Sequence, residues 1–454
     1  KYNAAEVNFF YQNAYRSFYS NYYYYMAYGM LSLDPQGDLK AQEISENDAA
    51  MLGVEAGQTW HDFFVDQALE QMAAVQAALK KADAEGFTYP AGIQAQYEDS
   101  MASLKATAAA SNMSVKQYLS GTFGSTMTEK VYGEQLTRIL KYDAYTAAYA
   151  DSLTYDEATL EKTYAADTNS YDKVAYESIT VLGSAASTTD ADGNAVDPTD
   201  AEKDAAKKAA KDAADEMLAA YRDGKTLESL ADGNDKATYS SNDGTAYTGD
   251  VLTEWLFDSA RKAGDSAVLE DTASSAYYVV SFGERFRDDY NPVSVRHILL
   301  KVDDSDLDSE SETYEADLQA LKDETLSQAE DLLAQWKAGE ATEDSFAAMA
   351  NEYSEDPGSN TTGGLYSDFP KGQMVQEFND WSFDPIRKSG DTGIVYGEST
   401  SYKGYHIMYF VSTDLPYWKS QVRDDLVSDD MTTWYTDLTA GETAEQQSGI
   451  RYVG

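Results

Sequence analysis

Apolar and aromatic side chains recur near the start of the chain at the spacing of an α-helix. Within residues 4–31 the recurring positions are Val7, Phe10, Ala14, Phe18 and Tyr25. This spacing predicts one long helix with a wide apolar face. Three interpretations fit its many tyrosines: a helical core, a surface that grips unfolded chains, and a helix at a membrane interface. Its polar positions are not basic, which weighs against the membrane interpretation.

Helical patterns continue to about residue 166. Further helices are predicted over residues 57–84, 91–110, 113–121 and 126–150. The inward positions of the first of these are Trp60, Phe64, Leu69, Met72, Val75 and Leu79. Thr154, with Glu157 three residues later, has the pattern of a capping box and predicts one more helix start. Residues 1–166 are therefore predicted to form an all-helical domain.

Alternation typical of β-strands begins after Tyr171. The predicted order is a strand (174–182), a polar insert (183–200), a helix (about 200–222) and two strand-like segments, the last at 275–282. The order then repeats as a strand (293–302), an acidic insert (303–313), helices (314–338 and 343–353) and a final strand (404–412). Two α+β domains are predicted, at residues 167–290 and 291–413.

The repeat is also visible in the letters. "WLFDSARKAGDSAVL" at 255–269 aligns with "WSFDPIRKSGDTGIV" at 381–395, and "AYYVVSF" aligns with "GYHIMYF". These alignments place Tyr278 opposite His406, while "YESITVL" against "VRHILLK" places Ser178 opposite His297. Two copies of one unit are indicated, and both histidines belong to the second copy.

After Pro416 the pattern becomes helical again. Trp418, Val422, Leu426 and Trp434 form a face too apolar to stand alone in water. The segment 414–454 is therefore predicted to pack back on the N-terminal domain and complete it.

Composition narrows the classes of function. The chain of 454 residues has a formal net charge of −45 and no cysteine. Its length suggests about two to four domains. The acidic surface disfavours nucleic acid and anionic lipid as partners, because phosphate groups attract Lys and Arg. We find no metal, phosphate-loop or Ser/His/Asp motif, so we expect no cofactor and no metal.

The second copy carries the candidate chemistry. His297 lies on its first strand and His406 on its last, and these are two of only three histidines in the chain. Between them, "YSEDPGSNTTGGLYSDFPKGQMVQEF" contains Asp356 in a Gly/Pro/Asn loop, with Met374 and Phe378 at helical spacing. The third histidine, His61, has no partner in this pattern and is interpreted as structural. Two imidazoles on neighbouring strands can orient each other and a carboxylate.

These motifs resemble the parvulin family of peptidyl-prolyl isomerases. The resemblance is close over residues 293–412, faint over 172–287, and with the helical region the chain looks like an extracellular foldase of the PrsA/SurA type. It implies an α+β multidomain fold, with a helical chaperone-like domain and two tandem parvulin-like domains, the first degenerate. By position it implies that His297, Asp356 and His406 are catalytic. It also implies that Met374, Phe378 and Tyr366 hold the proline ring, with Tyr366 standing where the family usually has Leu.

The resemblance further implies unfolded, proline-containing client chains as partners and an exported location, with a leader removed. A lipid anchor before residue 1 and a homodimer are left open. Two alternatives to the enzyme remain: a holdase chaperone whose second parvulin unit is inactive, and a surface protein that uses the fold only to dock peptides. The first copy, with Ser178 and Tyr278 in place of the imidazoles, is predicted to be catalytically silent.

Overall fold

The computed structural model describes residues 2–189, 194–442 and 448–454. One unit comprises Lys1–Tyr155 with Asp425–Gly454, and the other comprises Asp156–Asp424. The first is helical and the second contains antiparallel sheets with helices, which confirms the predicted α+β class. Parts of the predicted polar insert (190–193) and of the C-terminal segment (443–447) lie outside the described residues. The domain boundaries predicted at residues 166, 290 and 413 stay predictions.

Packing between two long aromatic-rich helices forms the core of the first unit. Asn3 starts the N-terminal helix with a capping box, since its side chain accepts from the backbone of Glu6, whose carboxylate accepts from Asn3 in return. Phe18 then meets Trp60 and Phe64, with 5.4 Å between ring centroids in each pair. The helices before the second unit are α1 (Ala4–Ala27), α2 (Glu46–Leu52), α3 (Trp60–Glu85), α4 (Ile93–Ala110), α5 (Val115–Phe123) and α6 (Glu129–Ser152).

Two sequence expectations for helix ends and faces are wrong. Tyr25 is 44% exposed and so does not belong to the apolar face of α1, which ends at Ala27. The helix predicted from Thr154 is capped by Asp156, whose carboxylate accepts from the backbone N–H of Thr159 at 2.8 Å. The helix begins at Glu157, so the residue next to it takes the cap position and Thr154 lies too far upstream.

The C-terminal helix buries an apolar residue near each end. It is α14 (Tyr417–Thr439), the last α-helix in the described part of the chain. Trp418 packs against Tyr164, with 5.1 Å between ring centroids. Trp434 stacks on Tyr149 at 4.8 Å and meets Tyr145 at 6.1 Å. None of the helices in the described residues combines the length and the apolarity that crossing a bilayer requires.

The second unit contains two four-stranded sheets of identical topology and one short two-stranded sheet. The strand orders of the four-stranded sheets are β4-β1-β6-β5 and β8-β7-β10-β9, with antiparallel pairing throughout. After α7 (Glu157–Ala166), the elements of the first copy are β1 (Asp172–Leu182), β2 (Thr188–Thr189), β3 (Ala195–Val196), α8 (Asp200–Arg222), α9 (Leu227–Ala231), β4 (Ala237–Thr245), α10 (Val251–Leu256), β5 (Ser266–Asp271) and β6 (Ala276–Arg287). Those of the second are β7 (Val293–Lys301), α11 (Tyr314–Ala338), α12 (Glu343–Tyr353), β8 (Leu365–Phe369), α13 (Gln376–Ser382), β9 (Thr392–Glu398) and β10 (Lys403–Thr413).

The residues that the two copies share make the same contacts in each copy. Arg261 donates to the carbonyl of Trp255 at 3.0 Å, and its guanidinium lies 4.3 Å from the ring centre. Arg387 donates to the carbonyl of Trp381 at 2.9 Å and again lies 4.3 Å from the ring centre. The repeated Trp and Arg therefore hold the turn after α10 and after α13. This shared contact is a structural reason for the Trp and Arg that recur in the sequence repeat.

Sequence periodicity missed two strands of the second sheet. β8 is half exposed and follows two glycines, and β9 has few fully buried residues. Neither strand shows the strong apolar alternation that reveals a core strand. Both are edge strands, and their pairing with β7 and β10 defines them.

We expect Trp434→Ala to lower the free energy of unfolding of the first unit by about 3–5 kcal/mol, because a 7% exposed indole stacked on Tyr149 leaves a cavity when it is removed. Chemical denaturation followed by far-UV circular dichroism measures this change. Thr433→Ala is the control, since Thr433 is exposed on the same helix and should change stability by less than about 0.5 kcal/mol. Equal effects of both variants would show that the indole contributes nothing.

Candidate active site in the second sheet

Strand alternation and register bring His297 and His406 together. His297 pairs with Met408 across the β7–β10 ladder, so His406 lies diagonally two residues away on the same face. This face also carries Val295, Met408 and Phe410, which pack with Phe378 of α13. Both imidazoles are 3% exposed. The sheet therefore presents two buried imidazoles beneath α13.

The two rings are in direct contact. Their Nδ1 atoms are 3.0 Å apart, and the rings stack with centroids 5.1 Å apart. Phe378 meets both rings edge to face, at 5.3 Å from His297 and 5.2 Å from His406. On the far side, Nε2 of His406 lies 3.0 Å from the hydroxyl of Tyr402. Both aromatic packing and hydrogen bonding therefore hold the two imidazoles in place.

Asp356 joins this pair from the loop after α12. Its Oδ2 lies 2.9 Å from His297 Nε2 and accepts from Ser359 Oγ at 2.6 Å and from the Tyr366 hydroxyl at 2.9 Å. Its Oδ1 accepts from the backbone N–H of Gly358 at 3.1 Å. The sequence Asp356-Pro357-Gly358-Ser359 forms a turn in which the Gly358 backbone N–H and the Ser359 hydroxyl both donate to this carboxylate.

Two consecutive glycines let the loop return to β7. Gly364 has φ of +68°, and its carbonyl accepts from the backbone N–H of His297 at 2.8 Å. A Cβ at Gly364 would fall within 2.1 Å of the carbonyl oxygen of His297. Only glycine combines this left-handed conformation with such close approach. The paired glycines thereby place Tyr366 beside Asp356.

Burial and hydrogen bonding shift the pKa values of the site. Burial, followed by the neighbouring His297, lowers the pKa of His406 to about 3, so this imidazole is neutral at pH 7. The hydrogen bond from His297 holds the pKa of Asp356 far below its usual range, assisted by Ser359 and Gly358. Burial and then the bond to Asp356 raise the pKa of Tyr366 to about 12. At neutral pH the site therefore contains one carboxylate, a neutral His406 and a neutral phenol.

This arrangement suits polarisation more than proton abstraction. Each ring nitrogen of His297 and His406 already has a hydrogen-bond partner. A general base needs a lone pair directed at its substrate, and neither imidazole offers one here. Among the described residues, no group of three or more His, Cys, Asp and Glu side chains is placed to hold a metal ion.

The residues predicted to line a proline pocket lie around this cluster. Phe378 is buried at 2% exposure, whereas Met374 and Tyr366 are half-buried and pack against the same apolar cluster. Phe378 therefore forms the floor, and the accessible apolar surface comes from the other two. The assignment of His297, Asp356, His406, Tyr366, Met374 and Phe378 to catalysis and substrate binding stays a prediction.

Sequence reasoning missed two members of the cluster, Ser359 and Tyr402. Ser359 is fully buried and bridges His297 and Asp356. Its position three residues after Asp356 is the spacing of a tight turn, so a turn analysis could have found it. Tyr402 precedes β10 and bends back to His406, a contact that periodicity does not reveal. His61, interpreted as structural, lies in the first unit with Nε2 2.9 Å from the carbonyl of Val453.

The first copy keeps the frame without this cluster. Ser178 pairs with Val280, so Tyr278 lies diagonal to Ser178 as His406 does to His297. The Tyr278 hydroxyl is 3.4 Å from Asp271, a residue of its own sheet edge. Neither Ser178 nor Tyr278 reproduces the imidazole pair.

Comparison with known proteins identifies the class of the second copy. Residues 278–411 match the family model of the PPIC-type PPIase domain, which confirms the predicted resemblance to parvulin-type peptidyl-prolyl isomerases for this region. The match begins within the last strand of the first copy and ends in β10.

Particular relatives are foldases named PrsA. Foldase protein PrsA 4 of Bacillus cereus is 43% identical over 63 residues, which are 14% of this chain and 21% of the relative. The chain thus spans about a fifth of that relative's length. Solved structures of PrsA from Bacillus cereus and from Streptococcus pneumoniae str. Canada MDR_19A are 19% and 10% identical. They cover 58% and 93% of this chain and 94% and 97% of their own chains. Both TM-scores are 0.23, too low to support an argument about the arrangement of the whole chain.

We expect acid to destabilise the wild type more than His406→Gln. The unfolded chain protonates this imidazole below its ordinary pKa of about 6.5, whereas the folded protein does so only near a pKa of about 3. Unfolding therefore takes up a proton between these values, and stability falls as the pH falls. Between pH 7 and pH 5 the wild type should lose about 2 kcal/mol more than the variant.

Urea unfolding at the two pH values measures this difference. Asp356 does not contribute in this window, because its lowered pKa and its ordinary pKa both lie below it. Parallel losses in both proteins would contradict a neutral, buried His406.

Proposed function

We propose that this protein is a foldase that catalyses cis–trans isomerisation of X–Pro bonds in unfolded client proteins, with the second copy as the catalytic domain. The observation that carries the proposal is the continuous cluster of Asp356, His297 and His406 beside an apolar wall, in the region that matches the PPIC-type PPIase family. The named relatives are foldases, which supports a role on protein clients.

The geometry suits this reaction because isomerisation breaks no covalent bond. An uncatalysed X–Pro bond turns over in tens to hundreds of seconds, since amide resonance keeps it planar. A catalyst needs an apolar surface for the proline ring and a preorganised polar group that favours the twisted amide. Met374 and Tyr366 supply the exposed apolar surface above Phe378. Asp356, held by four donors, supplies fixed negative charge whose orientation costs nothing during the reaction.

In this scheme the three predicted catalytic residues have different tasks. Asp356 acts electrostatically on the substrate amide and lowers the double-bond character of its C–N bond. His297 orients Asp356 through Nε2, and His406 orients His297 through Nδ1. The first copy lacks this arrangement, so we propose that it is silent and adds spacing or client-binding surface. Action outside the cytoplasm remains an expectation based on the resemblance to PrsA/SurA-type foldases.

We expect the wild type to accelerate the proline-limited refolding of a model protein, and His297→Ala and Asp356→Ala each to lower kcat/KM by roughly 10- to 100-fold. The reason is the loss of a hydrogen bond to a charged group, which is worth about 1.5–3 kcal/mol. Tyr278→Phe, at the matching position of the first copy, is the control and should retain full activity. An inactive wild type would end the enzyme proposal.

We also propose that the helical domain holds clients, a role that the alternative function, a holdase chaperone with an inactive second copy, would share. A surface at the C-terminal end of α1 supports this role. The side chains of Tyr19, Tyr23, Tyr24, Tyr25 and Tyr28 are between 36% and 73% exposed, and we name this set the tyrosine surface. Tyrosine presents apolar area with a polar end, which suits contact with varied, unfolded chains. Contiguous exposed apolar residues of this kind mark interaction sites more often than isolated ones do.

A groove beside this surface extends it between α1, α3 and α14. It encloses about 470 Å³ within the first unit. Phe18, Tyr22, Phe63 and Tyr435 contribute its aromatic walls. Its other walls include the amides of Asn13, Asn21, Gln67 and Gln71. Such a groove suits an extended peptide. Its aromatic walls can contact apolar side chains, and its amides can bond to a peptide backbone, which both donates and accepts hydrogen bonds.

We expect the triple variant Tyr23→Ser, Tyr24→Ser, Tyr28→Ser to need a roughly fivefold higher concentration than wild type to suppress client aggregation, because three exposed aromatic contacts are lost together. Light scattering of a thermally unfolding client measures this. Tyr452→Ser, a change at another exposed tyrosine of the first unit, should leave suppression intact. His297→Ala should also retain it. Suppression that survives the triple variant would rule out the tyrosine surface as the client-binding site.

A further inference from the structure

The cluster around Asp356 contains a chain of hydrogen bonds whose direction can be deduced. A carboxylate only accepts, so Nε2 of His297 must carry the hydrogen in the 2.9 Å contact with Asp356. In a neutral imidazole the other nitrogen is then an acceptor, which makes Nδ1 of His297 the acceptor of the 3.0 Å contact with His406. His406 Nδ1 therefore donates, and its Nε2 carries a lone pair.

This lone pair has a partner, the Tyr402 hydroxyl 3.0 Å away. Because His406 Nε2 accepts, the phenol must donate to it. At the other end, the Tyr366 hydroxyl donates to Asp356 at 2.9 Å. Ser359 Oγ also donates to this carboxylate, at 2.6 Å. The chain therefore runs in one direction, from Tyr402 through His406 and His297 to Asp356.

We infer that Tyr402 and Tyr366 are positioning residues, placed at the two ends of this chain. Tyr402 favours the Nδ1–H tautomer of His406. Through His406 it also favours the Nε2–H tautomer of His297, which donates a hydrogen bond to Asp356. Tyr366 donates to Oδ2, the same oxygen that accepts from His297, and limits the rotation of the carboxylate. Their effect on catalysis rests on the proposed isomerase function, whereas the tautomers do not depend on it.

A competing arrangement reverses the direction. If His297 carried two hydrogens, its Nδ1 would donate to His406, and His406 Nε2–H would donate to the Tyr402 oxygen. That arrangement places a cation in a ring that is 3% exposed, next to a half-buried carboxylate. The two arrangements assign opposite tautomers to His406, so they can be told apart directly.

The experiment is nitrogen-15 NMR of the full chain labelled at histidine, recorded at pH 7. The chain contains only three histidines, and His61, in the first unit, serves as an internal reference. Wild type is expected to show His406 protonated at Nδ1 and His297 protonated at Nε2 only. A His406 signal protonated at Nε2, or a doubly protonated His297, would overturn the inference without any variant.

Variants then test the two tyrosines. Tyr402→Phe should populate the second tautomer of His406 and lower kcat roughly fivefold with KM unchanged, the loss expected for one hydrogen bond. Tyr366→Phe should leave the His406 tautomer intact and also lower kcat. Tyr396→Phe is the control, because it removes a hydroxyl bonded to Glu398, outside the chain, and should change neither readout.

The outcomes separate the two proposals. If the wild type has the expected tautomers but no isomerase activity, the isomerase proposal is refuted and the positioning of His406 by Tyr402 is retained. An active wild type whose Tyr402→Phe variant has unchanged tautomers and kcat would refute the positioning role and retain the isomerase.

Discussion

The hydrogen bond between His297 Nε2 and Asp356, 2.9 Å long, connects the second sheet to the loop that follows α12. A buried imidazole and a carboxylate are each costly to leave unpaired, so their contact constrains every neighbour. Its direction determines which nitrogen of His297 faces His406, and hence the role of Tyr402. Ser359, Gly358 and Tyr366 complete the shell of the same carboxylate. The site is thus one connected network, which explains why it can hold a charge in a fixed position.

Both copies contain the frame that supports this network, and only the second contains the network itself. Strand order, the Arg–Trp contact and the diagonal register recur in the first copy. Ser178 and Tyr278 occupy the two key positions there. A sheet of this topology therefore does not imply a site. What distinguishes the copies is two imidazoles and the longer loop that carries Asp356.

Much of the fold followed from sequence, for physical reasons that also explain the failures. The long helices and the core strands β1, β6, β7 and β10 have strong apolar periodicity, and all were predicted. The edge strands β8 and β9 were missed, since pairing with a neighbour defines them more than their own pattern does. The sequence analysis predicted the helix cap at Thr154, two residues before the observed cap at Asp156. Thr and Asp are both good N-cap residues, and the local sequence does not decide between them.

The candidate site was predictable where it depended on strand alternation and on the family motif. His297, His406 and Asp356 do lie together, as do Met374, Phe378 and Tyr366 around the same apolar cluster. Ser359 and Tyr402 were not found, because each reaches the cluster through a turn whose geometry the sequence pattern does not show. The bond from Tyr366 to Asp356 was also unforeseen, since a residue expected to line a pocket carries a hydroxyl that serves the carboxylate.

The most direct measurement of the central claim is exchange NMR spectroscopy on a short proline-containing peptide in the presence of catalytic amounts of this protein. The proposed isomerase activity predicts cross-peaks between the cis and trans forms at mixing times of a second or less, far faster than the uncatalysed exchange. It also predicts that Asp356→Ala slows this exchange by roughly 10- to 100-fold while the fold persists. Exchange no faster than in the free peptide would contradict it.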